Sequence, residues 1–224
     1  MEYHKHYLDY LYPLQDKFLK FFNQYNDGRF YLTGGTALSR FYFQHRYSED
    51  LDFFSTQELK DFRSAANGVL NIAKNEGFIL EVETISDNFL RLFIKDRVSL
   101  KIDFVNEVAF HWGKFNDFPL FSLVDNEMNI LANKISCLSR YEVKDIADIW
   151  ILAKRLSFSW REAMDMANKK SPVDPVDVSK IIKTLPLGEL KLIKWASDAD
   201  LDGIFSDLQI IAADILLGQA NTLK

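Results

Sequence analysis

The chain has 224 residues, a formal net charge of −5 and one cysteine, Cys137. A chain of this length can bury a sizeable core, in one large domain or in two modest ones. Its aromatic content of 14% excludes a disordered chain of low hydrophobicity, and the single cysteine excludes an internal disulfide framework. The acidic balance argues weakly against a protein that coats nucleic acid through a broad basic surface.

Charge and hydropathy also bear on location and partners. No apolar run approaches the roughly 20 residues that span a bilayer, and the charged N-terminal segment is not arranged as a signal peptide. We therefore expect a cytoplasmic protein with no membrane partner. Residues 134–194 carry 12 Lys and Arg against 8 Asp and Glu, a local excess of +4. This excess indicates either a solvated face or a docking surface for a polyanion.

Apolar periodicity predicts the elements of the first half in chain order. An amphipathic helix is expected over residues 4–25, then a strand over 30–32, a glycine turn at Gly34 and Gly35, and a helix over about 36–44. Further elements follow. They are a strand at 50–54, a helix at 57–75, and strands at 79–84, 89–94 and 99–105.

After Asn106 the strand pattern is expected to stop. Helical periodicity predicts helices over residues 126–139, 144–156, 160–168, 176–183 and 200–217. The fold class is therefore α+β, with a mixed sheet followed by a helical C-terminal half. We place one domain, including the N-terminal helix, at residues 1–115 and a helical domain at residues 116–224.

The adjacent Gly34 and Gly35 lie between a predicted strand and a predicted helix. Glycines let the backbone turn tightly and approach a ligand, and the amides of a helix N-terminus favour an anion such as a phosphate. An ordinary turn is the alternative interpretation of the same two residues.

Two acids follow on the next predicted strand. Asp50 and Asp52 flank Leu51, so their side chains project from the same face. Two ionised carboxylates side by side repel each other unless a cation lies between them, and oxygen ligands suit Mg²⁺ or Mn²⁺. The alternative is a solvated strand face, which the apolar neighbours Leu51, Phe53 and Phe54 disfavour.

A third acid lies on a later strand. Alternation over residues 99–105 puts Asp103 on the polar face with Ser99 and Lys101. Three carboxylates on neighbouring strands can bind two metal ions, which clamp the attacking and leaving oxygens of a phosphoryl displacement; the third acid can instead accept a proton. By itself Asp103 fits a surface acid better than a catalytic one.

Taken in order, these motifs resemble the polymerase-beta-like nucleotidyltransferase superfamily. The runs GGTALSRFYFQHRYSEDLDFF, KIDFV and KISCLSRYEVKDIADIW are more closely similar to the nucleotidyltransferase AbiEii/AbiGii toxin family, over about residues 28–156. The resemblance implies a nucleotidyltransferase core that uses a nucleoside triphosphate (NTP) and divalent metal ions. It further implies that Gly34, Gly35 and Thr36 hold the phosphates, that Asp50 and Asp52 bind metal, and that Asp103 is the third acid.

The resemblance also assigns residues outside the acidic strands. Arg46 and Ser48 match the lead-in to the acidic strand, where Ser48 is alternatively a strand-entry cap. Lys134 and Asp148 match the family's functional lysine and its later essential acid, and Lys144 lies in the same KDIADIW phrase.

Spacing supports this later motif independently. Arg140, Lys144 and Asp148 are four residues apart, so on a single helix they would share one face. A lysine there could meet a triphosphate as a point charge. The alternative is an intrahelical ion pair of Lys144 with Asp148.

The resemblance implies transfer of a nucleoside monophosphate to an acceptor hydroxyl, with RNA, at the 3′ end of tRNA, as the acceptor and a cognate antitoxin as the partner of this toxin. Action on a protein or a small molecule, and kinase-like phosphate transfer, remain alternatives because one fold hosts many chemistries. A non-catalytic nucleotide-binding module is a further alternative, which the presence of all three acids disfavours.

Overall fold

The computed structural model describes residues 2–56, 60–106 and 110–224. The chain forms two compact units. Unit 1 consists of the described parts of Met1–Phe41, Ser48–Val108 and Phe115–Asp125, and unit 2 of those of Tyr42–Tyr47, Ala109–Lys114 and Asn126–Lys224. Unit 2, which contains the C-terminal helices, thus includes two short segments from the first half of the chain. The division at residues 115 and 116 expected from the sequence stays a prediction.

Unit 1 begins with the helical segment expected over residues 4–25. It comprises α1 (Glu2–His6), a π-helical stretch (Tyr7–Leu11) and α2 (Tyr12–Tyr25). The π-helical stretch contains Asp9, four residues before Pro13. In a regular α-helix the proline ring would clash with the Asp9 carbonyl. A change of helical geometry at this point therefore accommodates the proline without ending the helix.

The remaining helices and strands of unit 1 follow in chain order. They are β1 (Phe30–Thr33), α3 (Gly34–Ala37), β2 (Leu51–Ser55), α4 (Phe62–Asn75), β3 (Ile79–Ile85), β4 (Phe89–Lys95), β5 (Ser99–Val105), β6 (Asn116–Phe118) and β7 (Phe121–Val124). A π-helical stretch (Leu38–Phe43) continues α3, and its last two residues belong to unit 2. The predicted start of the fourth helix at Gln57 lies outside the described residues. Its observed N-cap is Asp61, whose carboxylate accepts a hydrogen bond from the Ser64 N–H.

Over the described residues, the strands form one seven-stranded sheet in the order β3-β4-β5-β2-β1-β7-β6. Strands β2 and β5 are parallel, as are β1 and β7, and the other neighbours are antiparallel. The expected mixed sheet is confirmed. The expectation that strands stop after Asn106 is wrong, because β6 and β7 are too short to show alternation and are defined by pairing with each other and with β1.

An aromatic cluster forms the core between α2 and the sheet. The ring of Phe22 lies 4.9 Å from that of Phe53, 5.3 Å from Phe104 and 6.0 Å from Phe121, measured between centroids. Phe53 and Phe104 stack on neighbouring strands at 5.0 Å. Such pairs contribute about 0.5–1.5 kcal/mol each beyond their buried area. The apolar side of β2 and β5 is therefore fixed, which sends the alternate side chains to the opposite face.

Unit 2 is helical, as expected. Its helices are α5 (Glu127–Ser136), α6 (Val143–Arg155), α7 (Trp160–Asn168), α8 (Pro175–Lys183) and α9 (Leu201–Leu217), with 3-10 turns at Leu138–Arg140 and Leu187–Leu192. Asn126, Asp174 and Asp200 cap α5, α8 and α9 through their side chains. Within the described residues, none of the helices has the length and apolarity that crossing a bilayer requires.

The chain breaks its helical path between Arg140 and Val143. Arg140 ends a 3-10 turn, and Tyr141 then adopts a left-handed conformation with φ of 57°. Helix α6 begins only at Val143. Arg140 therefore does not share a helical face with Lys144 and Asp148, because the condition that one helix spans all three is not met.

Candidate active site

The three acids of unit 1 meet on one face of the sheet. Asp52 on β2 is the register partner of Asp103 on the parallel strand β5. Asp50 lies two residues before Asp52, just ahead of β2, and its carboxylate contacts Lys101, which shares the polar face of β5 with Asp103. Asp50 and Asp52 are half-buried, and Asp103 is buried.

The glycine turn packs directly against this face. Gly34 has a φ of +74°, in the region that glycine adopts without steric cost. A Cβ atom at this position would lie 2.6 Å from Oδ2 of Asp52. Thr33, immediately before it, pairs with Asp52 across β1 and β2. The absence of a side chain at Gly34 thus lets the backbone turn approach the Asp52 carboxylate.

Helix α3 is tied to the acidic strand by a side chain. The Thr36 hydroxyl donates a hydrogen bond to the backbone carbonyl of Asp50. Gly35 and Thr36 are both buried in the first turn of α3. The phosphate-binding residues predicted from the sequence and the predicted metal ligands are therefore parts of one local structure.

We refer to Asp50, Asp52 and Asp103 together as the acid face, and two basic residues partly neutralise it. Lys101 Nζ lies 2.6 Å from Asp50 Oδ2. Arg91 on β4 binds Asp103 with two hydrogen bonds, Nε to Oδ1 at 2.8 Å and Nη2 to Oδ2 at 2.7 Å, and also lies 3.5 Å from Glu83. Sequence reasoning placed Lys101 on the polar face without a role and missed Arg91.

The neighbouring carboxylates raise the pKa values of Lys101 and Arg91. Burial disfavours the charged ammonium of Lys101, but its hydrogen bond and ion pair with Asp50, together with the nearby Asp103 and Asp52, raise its pKa above the ordinary value. The hydrogen bonds to Asp103 likewise raise the pKa of Arg91. Both side chains are therefore cationic at neutral pH, and the acid face is partly neutralised by the protein itself.

The carboxylate oxygens of Asp50, Asp52 and Asp103 are the candidate ligands of a divalent cation. Among the described residues, no group of three or more His, Cys, Asp or Glu side chains is already arranged to hold a metal ion. Each carboxylate has about four lone-pair sites, so the two hydrogen bonds from Arg91 leave Asp103 with acceptor capacity. Carboxylate oxygens at Asp50 and Asp52 are ligands that Mg²⁺ and Mn²⁺ prefer. The residues fit such an ion in their chemistry.

The lead-in to the acidic strand is held by the N-terminal helix. The buried Gln15 side chain donates hydrogen bonds to the carbonyls of Ser48, at 3.2 Å, and Glu49, at 3.0 Å. The backbone N–H of Ser48 donates to the Tyr12 hydroxyl at 3.3 Å. Helix α2 therefore positions Asp50 through the backbone of the two residues before it, a role of α2 that periodicity did not indicate.

A second cluster of predicted residues lies in unit 2. The buried Asp148 carboxylate accepts hydrogen bonds from Arg46 Nε and Nη2, both at 2.7 Å. Its Oδ1 also lies within hydrogen-bond distance of His45 Nε2, at 2.8 Å. Lys134 Nζ lies 2.8 Å from Asp148 and 2.7 Å from Asp145. Sequence reasoning named Arg46, Lys134 and Asp148 but gave no role to His45 and none of its own to Asp145.

The charges of this cluster stabilise one another. Burial by itself would raise the pKa of Asp148, but Arg46 and Lys134 hold it well below its usual range. Burial likewise opposes the charge of Lys134, and Asp148 and Asp145 nevertheless raise its pKa. For His45, burial prevails and lowers the pKa. Among the described residues its buried Nδ1 has no hydrogen-bond partner, so a proton there would be unsatisfied.

The structure thus brings the predicted site residues together in two groups. Unit 1 contains Gly34, Gly35, Thr36, Ser48, Asp50, Asp52 and Asp103, and unit 2 contains Arg46, Lys134, Lys144 and Asp148. Lys144 is exposed on α6. Its ion pair with Asp148, the alternative raised from the sequence, is not among those of the described residues, since Asp148 is engaged by Arg46, Lys134 and His45.

Comparisons with solved structures show the same fold. A proposed nucleotidyltransferase from H. pylori is 21% identical, with 91% of this chain and 94% of that chain covered and a TM-score of 0.64. JHP933 from Helicobacter pylori is 22% identical, with 91% of each chain covered and a TM-score of 0.64. MenT4, a nucleotidyltransferase toxin from Mycobacterium tuberculosis H37Rv, is 17% identical, with 91% and 83% covered and a TM-score of 0.53.

The comparison with curated proteins gives no match. The family model of the nucleotidyl transferase AbiEii toxin, from type IV toxin–antitoxin systems, matches residues 21–174. This match spans more than half of the chain and includes the glycine turn, the three acids of unit 1 and the buried cluster around Asp148. The chain therefore belongs to the AbiEii family of nucleotidyltransferase toxins.

Proposed function

We propose that this nucleotidyltransferase is metal-dependent and transfers a nucleoside monophosphate from an NTP to the 3′ hydroxyl of tRNA, releasing pyrophosphate. Family membership supplies the toxin class, the NTP substrate and an antitoxin partner. The metal, the RNA acceptor and a cytoplasmic site of action are our proposal. The observation that supports it most is the register that sets Asp52 beside Asp103, with the Gly34 turn against Asp52.

Asp50 and Asp52 are the proposed ligands of Mg²⁺ or Mn²⁺. They lie two residues apart and are half-buried, and carboxylate oxygens suit these hard cations. A bound divalent ion supplies positive charge for the transferring phosphoryl group. The protein's own part is to hold the carboxylates in place through the Gln15 contacts before the strand and the pairing of β2 with β5.

Asp103 is the proposed third acid, either as a further metal ligand or as the acceptor of the proton from the attacking hydroxyl. Its two hydrogen bonds from Arg91 fix the orientation of the carboxylate and leave lone pairs available. A proton acceptor must lie within hydrogen-bond reach of the hydroxyl, so a fixed orientation favours this role. Arg91 is a positioning residue in this scheme.

The backbone of Gly34, Gly35 and Thr36 is the proposed cradle for the NTP phosphates. The hydroxyl of Thr36 is already engaged with the Asp50 carbonyl, so its contribution comes from the backbone N–H. Amides at the start of a helix favour an anion. Lys101, whose side chain is 29% exposed, lies at the acid face where it can contact the triphosphate.

The roles of Arg46, Ser48, Lys134, Lys144 and Asp148 at the nucleotide stay predictions. The buried ion pairs of Asp148 support a positioning role for Arg46 and Lys134 within unit 2. Lys144 is exposed, and its charge is open to a phosphate. Ser48 is held through its backbone, which supports its role in the entry to the acidic strand.

A transfer assay tests this proposal. Purified protein is incubated with total RNA and each α-labelled NTP in turn, with Mg²⁺ or Mn²⁺ and with a chelator, and γ-labelled NTP serves as the parallel reaction. We expect α-label on tRNA with divalent metal present and none after chelation or in Asp52→Asn. Label from the γ-phosphate on RNA would indicate kinase-like transfer. Label on a protein or a small molecule would overturn the RNA acceptor but not the nucleotidyltransferase.

A further inference from the structure

Two aromatic rings of unit 2 are exposed beside a lysine. Phe110 is 37% exposed and Trp112 is 48% exposed, whereas Trp160 and Trp195 are 0% and 8% exposed. The rings of Phe110 and Trp112 lie 5.8 Å apart between centroids, and Lys169 Nζ lies 4.6 Å from the first and 5.4 Å from the second. We refer to Phe110, Trp112 and Lys169 as the aromatic platform.

The backbone under the platform is firmly held. Lys170 Nζ donates to the carbonyl of Phe110 at 2.6 Å. The Trp112 N–H donates to Oδ1 of the fully buried Asn129 at 3.2 Å, and Asn126 Nδ2 donates to the Trp112 carbonyl at 2.6 Å. The rings therefore project into solvent from a fixed loop. Preorganised groups bind with a smaller entropic cost than mobile ones.

Gly113 adds a further constraint on this loop. It has a φ of +79°, and a Cβ atom there would lie 3.0 Å from Asn126 Nδ2. The same Asn126 side chain bonds the carbonyls of Trp112 and Lys114 while its Oδ1 caps α5. The positions of the exposed rings are thus set by the start of α5 and by the end of α7, where Lys169 and Lys170 follow the last helical residue.

The chemistry of the platform suits one class of ligand. Aromatic faces stack on bases, and ammonium groups bind the phosphates between them, which is how single-stranded nucleic acid is recognised without sequence preference. Lys169 and the partly exposed Lys170 lie within the basic stretch of residues 134–194, although the exposed Asp165 lies one turn before Lys169. Protein–protein interfaces are enriched in Trp and Phe but depleted in lysine, so the two lysines beside the rings are the feature that favours a phosphate-bearing ligand over a protein.

We propose that the aromatic platform is a docking site for unpaired nucleotides of the RNA acceptor. Bases stack on Phe110 and Trp112, and Lys169 and Lys170 contact the adjoining phosphates. This inference rests on the proposed function in taking RNA as the acceptor. It goes further by naming the surface of unit 2 that binds the RNA and the single-stranded part of the RNA that it binds.

Binding of a fluorescently labelled, unpaired oligoribonucleotide by the full chain tests the platform, with affinity measured by anisotropy. Trp112→Ala is expected to weaken binding about tenfold, the loss of roughly one base stack, and Trp112→Phe to restore most of it. Lys169→Glu should weaken binding and reduce its dependence on salt. Lys20→Glu, the same charge change at an exposed lysine of α2 outside residues 134–194, is the matched control and should bind within about twofold of wild type.

Three outcomes separate this inference from the proposed function. If wild type labels RNA but Trp112→Ala binds and labels it equally well, the platform is overturned and the nucleotidyltransferase on RNA stands. If Trp112→Ala binds RNA as wild type does but changes self-association in sedimentation, the rings form a protein interface and the platform is again overturned. If wild type binds the oligoribonucleotide through Trp112 but labels no RNA, the platform stands as an RNA-binding surface and the proposed acceptor fails. Melting temperatures of all variants exclude misfolding as the cause.

Discussion

Asp52 on β2 and Asp103 on β5 are opposite one another in parallel register, although the hairpin of β3 and β4 and the helix α4 separate them in sequence. The phenylalanines that follow each of them, Phe53 and Phe104, stack in the core on the other side of the sheet. The packing of the core therefore fixes which face the acids occupy. A slip of one residue by either strand would move the carboxylate of that strand to the apolar side.

The first prediction concerns the two proposed metal ligands. Asp50→Ala and Asp52→Ala should each abolish nucleotidyl transfer while the protein stays folded. The Asp50 pair with Lys101 is partly exposed, so its loss should change the free energy of unfolding by about 1 kcal/mol at most. Transfer assays with thermal melts are the measurement. The exposed Asp9 provides the control Asp9→Ala, which should be fully active, and substantial activity in either site variant would contradict the assignment.

The second prediction separates backbone strain from crowding at the glycine turn. Gly77→Ala places a side chain at a φ of +83° with no atom within 4 Å of the new Cβ, so it should cost only about 1–2 kcal/mol. Gly34→Ala adds a collision with Asp52 to the same backbone cost. It should be less stable than Gly77→Ala and inactive, whereas Gly77→Ala keeps its activity. Equal stability and activity of the two variants would show that a side chain at position 34 does not collide with the Asp52 carboxylate.

The third prediction concerns Lys134 and uses Lys144 as its counterpart. Lys134 lies between two buried carboxylates, so Lys134→Ala should destabilise the fold by about 3–5 kcal/mol, as expected when a buried ion pair loses one partner. Lys144 is exposed, and Lys144→Ala should leave the free energy of unfolding unchanged. Chemical denaturation measures both. A Lys134→Ala variant of wild-type stability but with a raised KM for NTP would place this lysine at the phosphates instead.

The fourth prediction is a dependence of stability on pH that comes from His45. Its pKa is lowered in the fold by burial, despite the contact with Asp148, while the unfolded value is about 6.5. As pH falls below about 6.5 the unfolded chain takes up the proton first, so stability is full above this pH and declines below it. Asp148, whose folded pKa is lowered, adds a second loss below its unfolded value of about 3.9.

Urea denaturation over a pH series measures this effect. His45→Gln should flatten the decline that begins near pH 6.5 and leave the loss below about pH 4 in place. An unchanged slope in His45→Gln would show that another group titrates in that range.

The sequence carries enough information for most of the fold, because long elements show their period. Alternation predicted β5 with the bounds observed, and the expected helices of unit 2 are all present. Strands β6 and β7 have three and four residues, too few to show alternation. Strand β7 is created by pairing with β1 and β6 by pairing with β7, contacts that local pattern does not contain.

In the candidate site, too, contacts within a hairpin could be predicted from the sequence, whereas contacts between residues far apart in the chain could not. The hairpin of β4 and β5 sets Arg91 opposite Asp103, a register that the turn between the predicted strands would have indicated. The ion pair of Arg46 with Asp148 joins residues 102 positions apart, and neither residue shows this in its local pattern. Family resemblance named both residues, but their contact with each other and with His45 required the structure.

The central claim is that the acid face of unit 1 transfers a nucleotide to the 3′ hydroxyl of RNA, and a blocked acceptor tests it most directly. Periodate oxidation destroys the 3′-terminal diol of tRNA and leaves the rest of the molecule in place. With α-labelled NTP and divalent metal, we predict that untreated tRNA is labelled by wild type but not by Asp52→Asn, and that oxidised tRNA is not labelled at all. Equal labelling of oxidised and untreated tRNA, or full activity of Asp52→Asn, would contradict the account.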